Sequence, residues 1–191
     1  RKVLQVRLEE AELAREDAKA LAEAWLHRWD FLLQPLEAGF DYVVGNPPYG
    51  RQELIPQELC AGYRRLYKTV YDRADLYVPF IERSLGLLDR EGVLSFICSD
   101  RWTKNRYGGP LRQLVSEGYH LRYFVDMVDT DAFHADVMAY PGIFVIAREK
   151  AGETRIAARP EISKTALKHL AGALRAEAAP EGSGIRSVSG V

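Results

Sequence analysis

Apolar residues recur along the first 29 positions at alternating four- and three-residue steps: Leu4, Leu8, Ala11, Ala18, Ala22, Trp25 and Trp29 share one stripe, interrupted by Arg15. That spacing predicts a single amphipathic helix lying on a partner surface. Its last residues, Ala24 to Trp29, read alternatively as a short strand entering Asp30-Phe31-Leu32-Leu33. The period then changes. Phe40 to Val44 is a buried strand, stopped by Gly45-Asn46-Pro47-Pro48 because consecutive prolines cannot continue a ladder. Residues 56–67 predict a helix opened by Pro56, and Leu76 to Leu88 a stronger one with Phe80, Ile81 and Leu85 at core spacing. Asp89-Arg90-Glu91-Gly92 reads as the turn that launches the strand Val93 to Cys98. A helix over 109–117 and strands over Leu121–Asp126 and Ile143–Ala147 complete the pattern.

Strands alternating with helices imply an α/β fold with a largely parallel sheet and helical crossovers. Ligands in such sheets sit at the carboxyl ends of strands, here the loops opening at Asn46 and at Ser99-Asp100-Arg101-Trp102. Beyond Lys150 the texture turns to Ala, Arg and Gly, with a helix capped by Ser163 and carrying Leu167, Leu170 and Leu174. The predicted organisation is a helix over 1–29, an α/β part over 30–150, a helical linker over 151–178 and a flexible Gly/Ser/Pro-rich tail over 179–191.

With 191 residues, 47% of them hydrophobic, the chain can build one globular core. A net charge of −1 withholds the global basic signature of a self-sufficient nucleic-acid binder but leaves room for local basic loops. Cys60 and Cys98 have no metal-ligand spacing, nor do His27, His120, His134 and His169, so reduced thiols in a cytoplasmic, metal-free protein are expected. No apolar stretch is long enough to cross a bilayer.

The chemistry is concentrated in Asn46-Pro47-Pro48-Tyr49, a string expected by chance in about one chain in a thousand of this length. As residues alone, they also make a rigid turn. An exocyclic amino group on a planar ring is a poor nucleophile because its lone pair is delocalised. Two acceptors gripping its N–H bonds out of plane, the Asn46 side-chain oxygen and the Pro47 carbonyl, would restore nucleophilicity as positive charge develops. Tyr49 offers a ring for stacking, worth about 1–3 kcal/mol on a base. In Arg101-Trp102-Thr103-Lys104-Asn105-Arg106-Tyr107-Gly108-Gly109, cations interleave with aromatics at the second strand end. Arg101, Trp102, Lys104 and Arg106 are therefore candidate DNA contacts, and a solvated loop fits the same residues.

Asp30-Phe31-Leu32-Leu33, Phe40 to Gly50, Asp75-Leu76-Tyr77-Val78-Pro79-Phe80 and Gly92 to Ile97 resemble, in order, the gamma-type N6-adenine DNA methyltransferases. These include Taq-like modification enzymes and the methylase parts of fused restriction-modification proteins. The resemblance implies a Rossmann-like methyltransferase sheet, S-adenosylmethionine as cofactor and a flipped adenine in DNA as substrate. It implies that Asn46, Pro47 and Pro48 form the catalytic loop and that Tyr49 and Phe133 stack on the base. Asp30, Phe31 and Phe80 would hold the cofactor's adenine. Phe31, Phe80 and Phe133 also suit a core, and Asp30 a turn cap.

The family's glycine-rich cofactor loop, expected before Asp30, is absent, as is its large target-recognition region. The chain opens in helical pattern without a Met, and is expected to be part of a longer protein that supplies both. Alone it is expected to be weakly active or inactive, with the strand before Asn46 as an uncovered sheet edge. A methyltransferase for a protein glutamine amide or an RNA base, and an inactive interaction module, are the competing readings.

Overall fold

The computed structural model describes residues 1–132 and 140–189. Two compact units are present, Arg1–Gln34 and Pro35–Val191. In the first, the predicted single helix is corrected to a pair, α1 (Lys2–Glu10) and α2 (Arg15–Trp25), packed on each other. Glu12 has φ of 66°, a left-handed conformation that an uninterrupted helix cannot hold, and the residue that broke the apolar stripe, Arg15, opens the second helix. Ala18 and Ala22 are the buried positions of α2. Residues 26–29 form no strand.

The second unit is built on a six-stranded sheet. Its strands are β1 (Phe40–Gly45), β2 (Leu88–Ser99), β3 (His120–Asp126), β4 (Pro141–Ala147), β5 (Glu153–Ala158) and β6 (Arg186–Ser189). They lie in the order β1-β2-β4-β3-β5-β6. Helices α3 (Gln57–Leu66) and α4 (Tyr77–Leu87) separate β1 from β2. The short α5 (Arg101–Lys104) and α6 (Gly109–Gly118) follow β2, and α7 (Lys164–Arg175) follows β5.

The sheet is mixed rather than largely parallel. β1 runs parallel to β2 and β3 to β5, while β4 lies antiparallel between β2 and β3 and β6 antiparallel to β5. Among the described residues, no helix joins β3 to β4, so the chain returns as an antiparallel neighbour instead of crossing over. The predicted turn at Asp89–Gly92 lies inside β2 as an irregularity: Phe40 faces Leu88 and Tyr42 faces Val93, so the extra residues loop out, with Glu91 at φ of 63°.

The predicted linker and tail are also corrected. Residues 153–158 form β5 and residues 186–189 form β6, so both regions extend the sheet. Ser163 does cap α7, its Oγ accepting from Ala166 N at 3.2 Å. Arg155 of β5 closes the other end of that helix by donating to the carbonyls of Leu174, Ala176 and Glu177.

One sheet face carries the main core. Val78, Ile81 and Leu85 of α4 and Leu111 and Val115 of α6 meet Leu94, Phe96 and Cys98 of β2 and Phe144 and Ile146 of β4. On the opposite face Leu170 and Leu174 of α7 pack with Val125, Met127 and Ala157. Both cysteines are free and buried. Among the described residues, no helix is long and apolar enough to cross a membrane.

Candidate active site

The parallel pairing of β1 with β2, with Gly45 opposite Phe96, sets the Asn46 loop beside the loop that opens at Asp100. Gly45 has a reason to lack a side chain: an added Cβ would sit 3.2 Å from the Phe96 ring, so the end of β1 rests directly on that ring. The chain then leaves the ladder. Pro47 is buried, whereas Asn46, Pro48 and Tyr49 are exposed. Beyond Tyr49 the loop is tied down where Gly50 O accepts from Leu76 N at 2.8 Å, just before α4.

Tyr49 is 40% exposed, enough to leave ring area for a ligand. Its other side meets Tyr77, with ring centroids 6.2 Å apart and planes tilted by 45°. Partial burial, with Cys98 nearby, pushes its phenol up to about 12, so it stays neutral around Asn46.

The neighbouring loop is held much more tightly. Asp100 N donates to Tyr140 O at 2.7 Å, and the buried Asp100 carboxylate is met by Lys104 Nζ at 2.6 Å. That bond raises the Lys104 ammonium above its ordinary range. Lys104 is therefore committed to balancing Asp100. Trp102 is 2% exposed and packs on Phe144 with centroids 5.2 Å apart, which takes it out of the set of DNA contacts and into the core. Arg101 keeps a surface position, its guanidinium 4.6 Å from the centre of the Tyr140 ring.

Arg101 and Arg106 line an open cleft of about 680 Å³ together with Arg51, Glu53, Asp72, Arg73, Asp75 and Tyr107, so that four guanidiniums face three carboxylates there. Tyr107 belongs to the Arg101–Gly109 loop singled out in the sequence, whereas Arg51, Arg73 and Asp75 were not named there as site residues. Arg51 lies two residues past Tyr49, and Asp75 lies directly before the tie to Gly50, so proximity to the motif was the available signal. Burial raises the Asp75 carboxyl above its usual range, while Arg101 and Arg51 pull the other way.

Asp30 and Phe31 belong to the first unit and Phe80 to the second, and each is placed within its own unit. Asp30 Oδ1 accepts from Leu32 N at 2.8 Å, making the turn that orders residues 30–34, and Phe31 is half-buried. Phe80, also half-buried, packs on the main core from α4. Phe133 and His134 lie outside the described residues.

Residues 3–133 match the Eco57I restriction-modification methylase family. The type II methyltransferase M.PaeR7I of Pseudomonas aeruginosa is 60% identical over 90% of this chain and 30% of its own length. M.XhoI of Xanthomonas vasicola is 54% identical over 91% of this chain and 33% of its own. The chain thus spans about a third of the length of these relatives. Among solved structures, a Listeria monocytogenes protein assigned to the class I S-adenosylmethionine-dependent methyltransferases superposes with a TM-score of 0.57 at 14% identity, over 75% of this chain and 44% of that one. The type IIG restriction endonuclease BpuSI gives 0.59 at 15% identity, over 80% and 19%. The sheet is therefore a methyltransferase-type α/β sheet, and the chain belongs to the Eco57I restriction-modification methylase family.

Proposed function

We propose that this chain is the catalytic part of a DNA methyltransferase that transfers a methyl group from S-adenosylmethionine to N6 of an adenine turned out of the duplex. The observation that carries this reading is the presentation of Asn46 and Tyr49, both exposed, at the end of β1 beside the arginine-lined cleft. Asn46 would accept from the adenine amino group through its side-chain oxygen, and Pro47 through its backbone carbonyl. Both bonds strengthen as the nitrogen gains positive charge, so they stabilise the transition state more than the bound substrate. Tyr49 would stack on the base, with Phe133, which lies outside the described residues, as the second stacking ring; Pro48 keeps the loop in its turn. Arg101 and Arg106, joined by Arg51 and Arg73, would meet the DNA backbone.

Within the first unit, the Asp30 carboxylate would accept from the amino group of the cofactor's adenine, and the half-buried Phe31 ring next to it in sequence would flank that base. The cofactor supplies a methyl carbon bonded to a sulfonium. That sulfonium would make the methyl carbon electrophilic, while Asn46 and Pro47 would hold the amino nitrogen as its positive charge develops and its proton would pass to solvent. Relatives about three times as long suggest that the glycine-rich part of the cofactor site and the target-recognition region come from further sequence. The proposed DNA substrate favours the cytoplasm as the place of action.

The test is transfer of labelled methyl to unmodified DNA, to RNA and to a glutamine peptide by a polypeptide of the relatives' length carrying this sequence, with digested nucleosides separated. Label in N6-methyladenine is the expected result. Label on RNA or glutamine alone, or none at all, overturns the reading.

A further inference from the structure

The side of Tyr49 turned away from solvent rests on a ring that belongs to a second system. Tyr77, the first residue of α4, is completely buried, and its hydroxyl lies 2.9 Å from that of Tyr107. Tyr107 itself lines the cleft shared by Arg51, Arg73, Arg101 and Arg106. Thus two side-chain contacts, one hydroxyl pair and one ring contact, join the cleft to the stacking ring.

The turn that presents Tyr107 is built to hold its place. Gly108 follows it, and a Cβ there would fall 1.8 Å from the carbonyl oxygen of Trp102, so no other residue fits without moving the backbone. Arg112 Nη1 donates to Trp102 O at 2.6 Å and to Asn105 O at 2.9 Å, drawing both ends of the turn onto α6. Beneath it Trp102 is anchored on Phe144. On the other side, the bond from Leu76 N to Gly50 O fixes the start of α4 against the residue after Tyr49. Burial, reinforced by the bond to Tyr107, holds the Tyr77 phenol far above its ordinary value, and burial raises Tyr107 too. The pair is therefore two neutral hydroxyls sharing a hydrogen bond, and it does not switch off in the working pH range.

We propose that Tyr77 and Tyr107 are a positioning pair for the reaction: they fix the plane of Tyr49 relative to the arginine cleft, so that a nucleotide whose backbone is held in the cleft presents its base flat on Tyr49. Neither residue touches the reacting atoms. The catalytic consequence rests on the methyltransferase reading above. The positioning itself does not, because it concerns where the Tyr49 ring stands.

Two measurements separate these levels. The first uses 3-fluorotyrosine-labelled protein with the Tyr49 fluorine signal assigned by Tyr49→Phe. Tyr107→Phe and Tyr77→Phe, which remove one oxygen each and keep the rings, are expected to shift or broaden that signal while the melting curve stays cooperative. The second uses the polypeptide of the relatives' length and DNA with 2-aminopurine at the target position. Each variant is expected to slow methyl transfer by about three- to tenfold, as for one lost hydrogen bond, and to change the fluorescence of the bound probe with cofactor affinity unchanged. The losses in the double variant are expected to be clearly less than additive, since both substitutions remove the Tyr77–Tyr107 bond, each also losing one further contact, to Ser99 from Tyr77 and to Asn105 from Tyr107. An unchanged Tyr49 signal in both variants overturns the inference, whatever the activity. A Tyr49 signal that responds, in a wild-type protein that makes no N6-methyladenine, leaves the positioning intact and overturns the functional reading. A slowed reaction with additive losses, or with cofactor affinity falling in step, shows a packing role and also overturns the inference.

Discussion

β1 and β2 run parallel, yet they are built in opposite ways. In β2, Leu94, Phe96 and Cys98 are nearly or completely buried and the strand has neighbours on both sides. β1 has a neighbour on one side, and Tyr42 and Val44 are 74% and 78% exposed. The proposed catalytic loop therefore hangs from the less supported strand. The loop after β2 supplies the rigidity, through Trp102, Gly108 and Arg112, and reaches Tyr49 by way of Tyr77. The contrast indicates a division of labour in which the open strand presents and its buried neighbour braces.

The comparison is broken most severely at Phe144. Its completely buried ring stacks on Phe124, with centroids 4.9 Å apart, and carries Trp102. Phe144→Ala is expected to lose about 3–5 kcal/mol in denaturant unfolding. A smaller loss is expected away from the site. Glu149 accepts from Arg122 through both carboxylate oxygens, and His120 Nδ1 lies 2.7 Å from it. Arg122 first, with His120 adding, holds its carboxyl down from an ordinary 4.5 to about 2. A depressed carboxylate contributes stability that is complete above 4.5 and disappears as pH falls through about 2. Glu149→Gln should therefore cost about 1 kcal/mol at neutral pH, given the solvent screening of this half-exposed group, and the gap from wild type should close between those two pH values in acid unfolding curves. The smallest effect belongs to β1: Tyr42→Ala and Val44→Ser, measured in this chain, should stay within about 0.5 kcal/mol of wild type and reduce self-association in light scattering.

Much of this contrast was legible in the residues. The prolines ended β1, strand and helix periods placed α3, α4, α6, β3 and β4, and the Ser163 cap marked α7. The exposed edge followed from the missing neighbour, and it corrects the reading of Phe40 to Val44 as a buried strand, since Phe40, Tyr42 and Val44 are exposed. What escaped depends on distance in sequence. β5 buries just Thr154 and Ala157 among charged residues, so its alternation is too weak to read, and β6 is exposed throughout. The helix break at Glu12 carries no glycine or proline to announce it. Trp102 looked like a surface aromatic because cations surround it, and its burial is decided by Phe144, forty-two residues later. In the same way the Tyr77–Tyr107 pair joins two segments that no local pattern connects.

The most direct test of the account is single-turnover methyl transfer by Asn46→Ala, made in a polypeptide of the relatives' length, with cofactor affinity and melting temperature recorded on the same samples. A fall of about 10²–10³-fold in the rate with the other two unchanged is expected if the loop at the end of β1 does the chemistry while its neighbour holds the frame. A rate equal to wild type, or a loss that tracks unfolding, would contradict it.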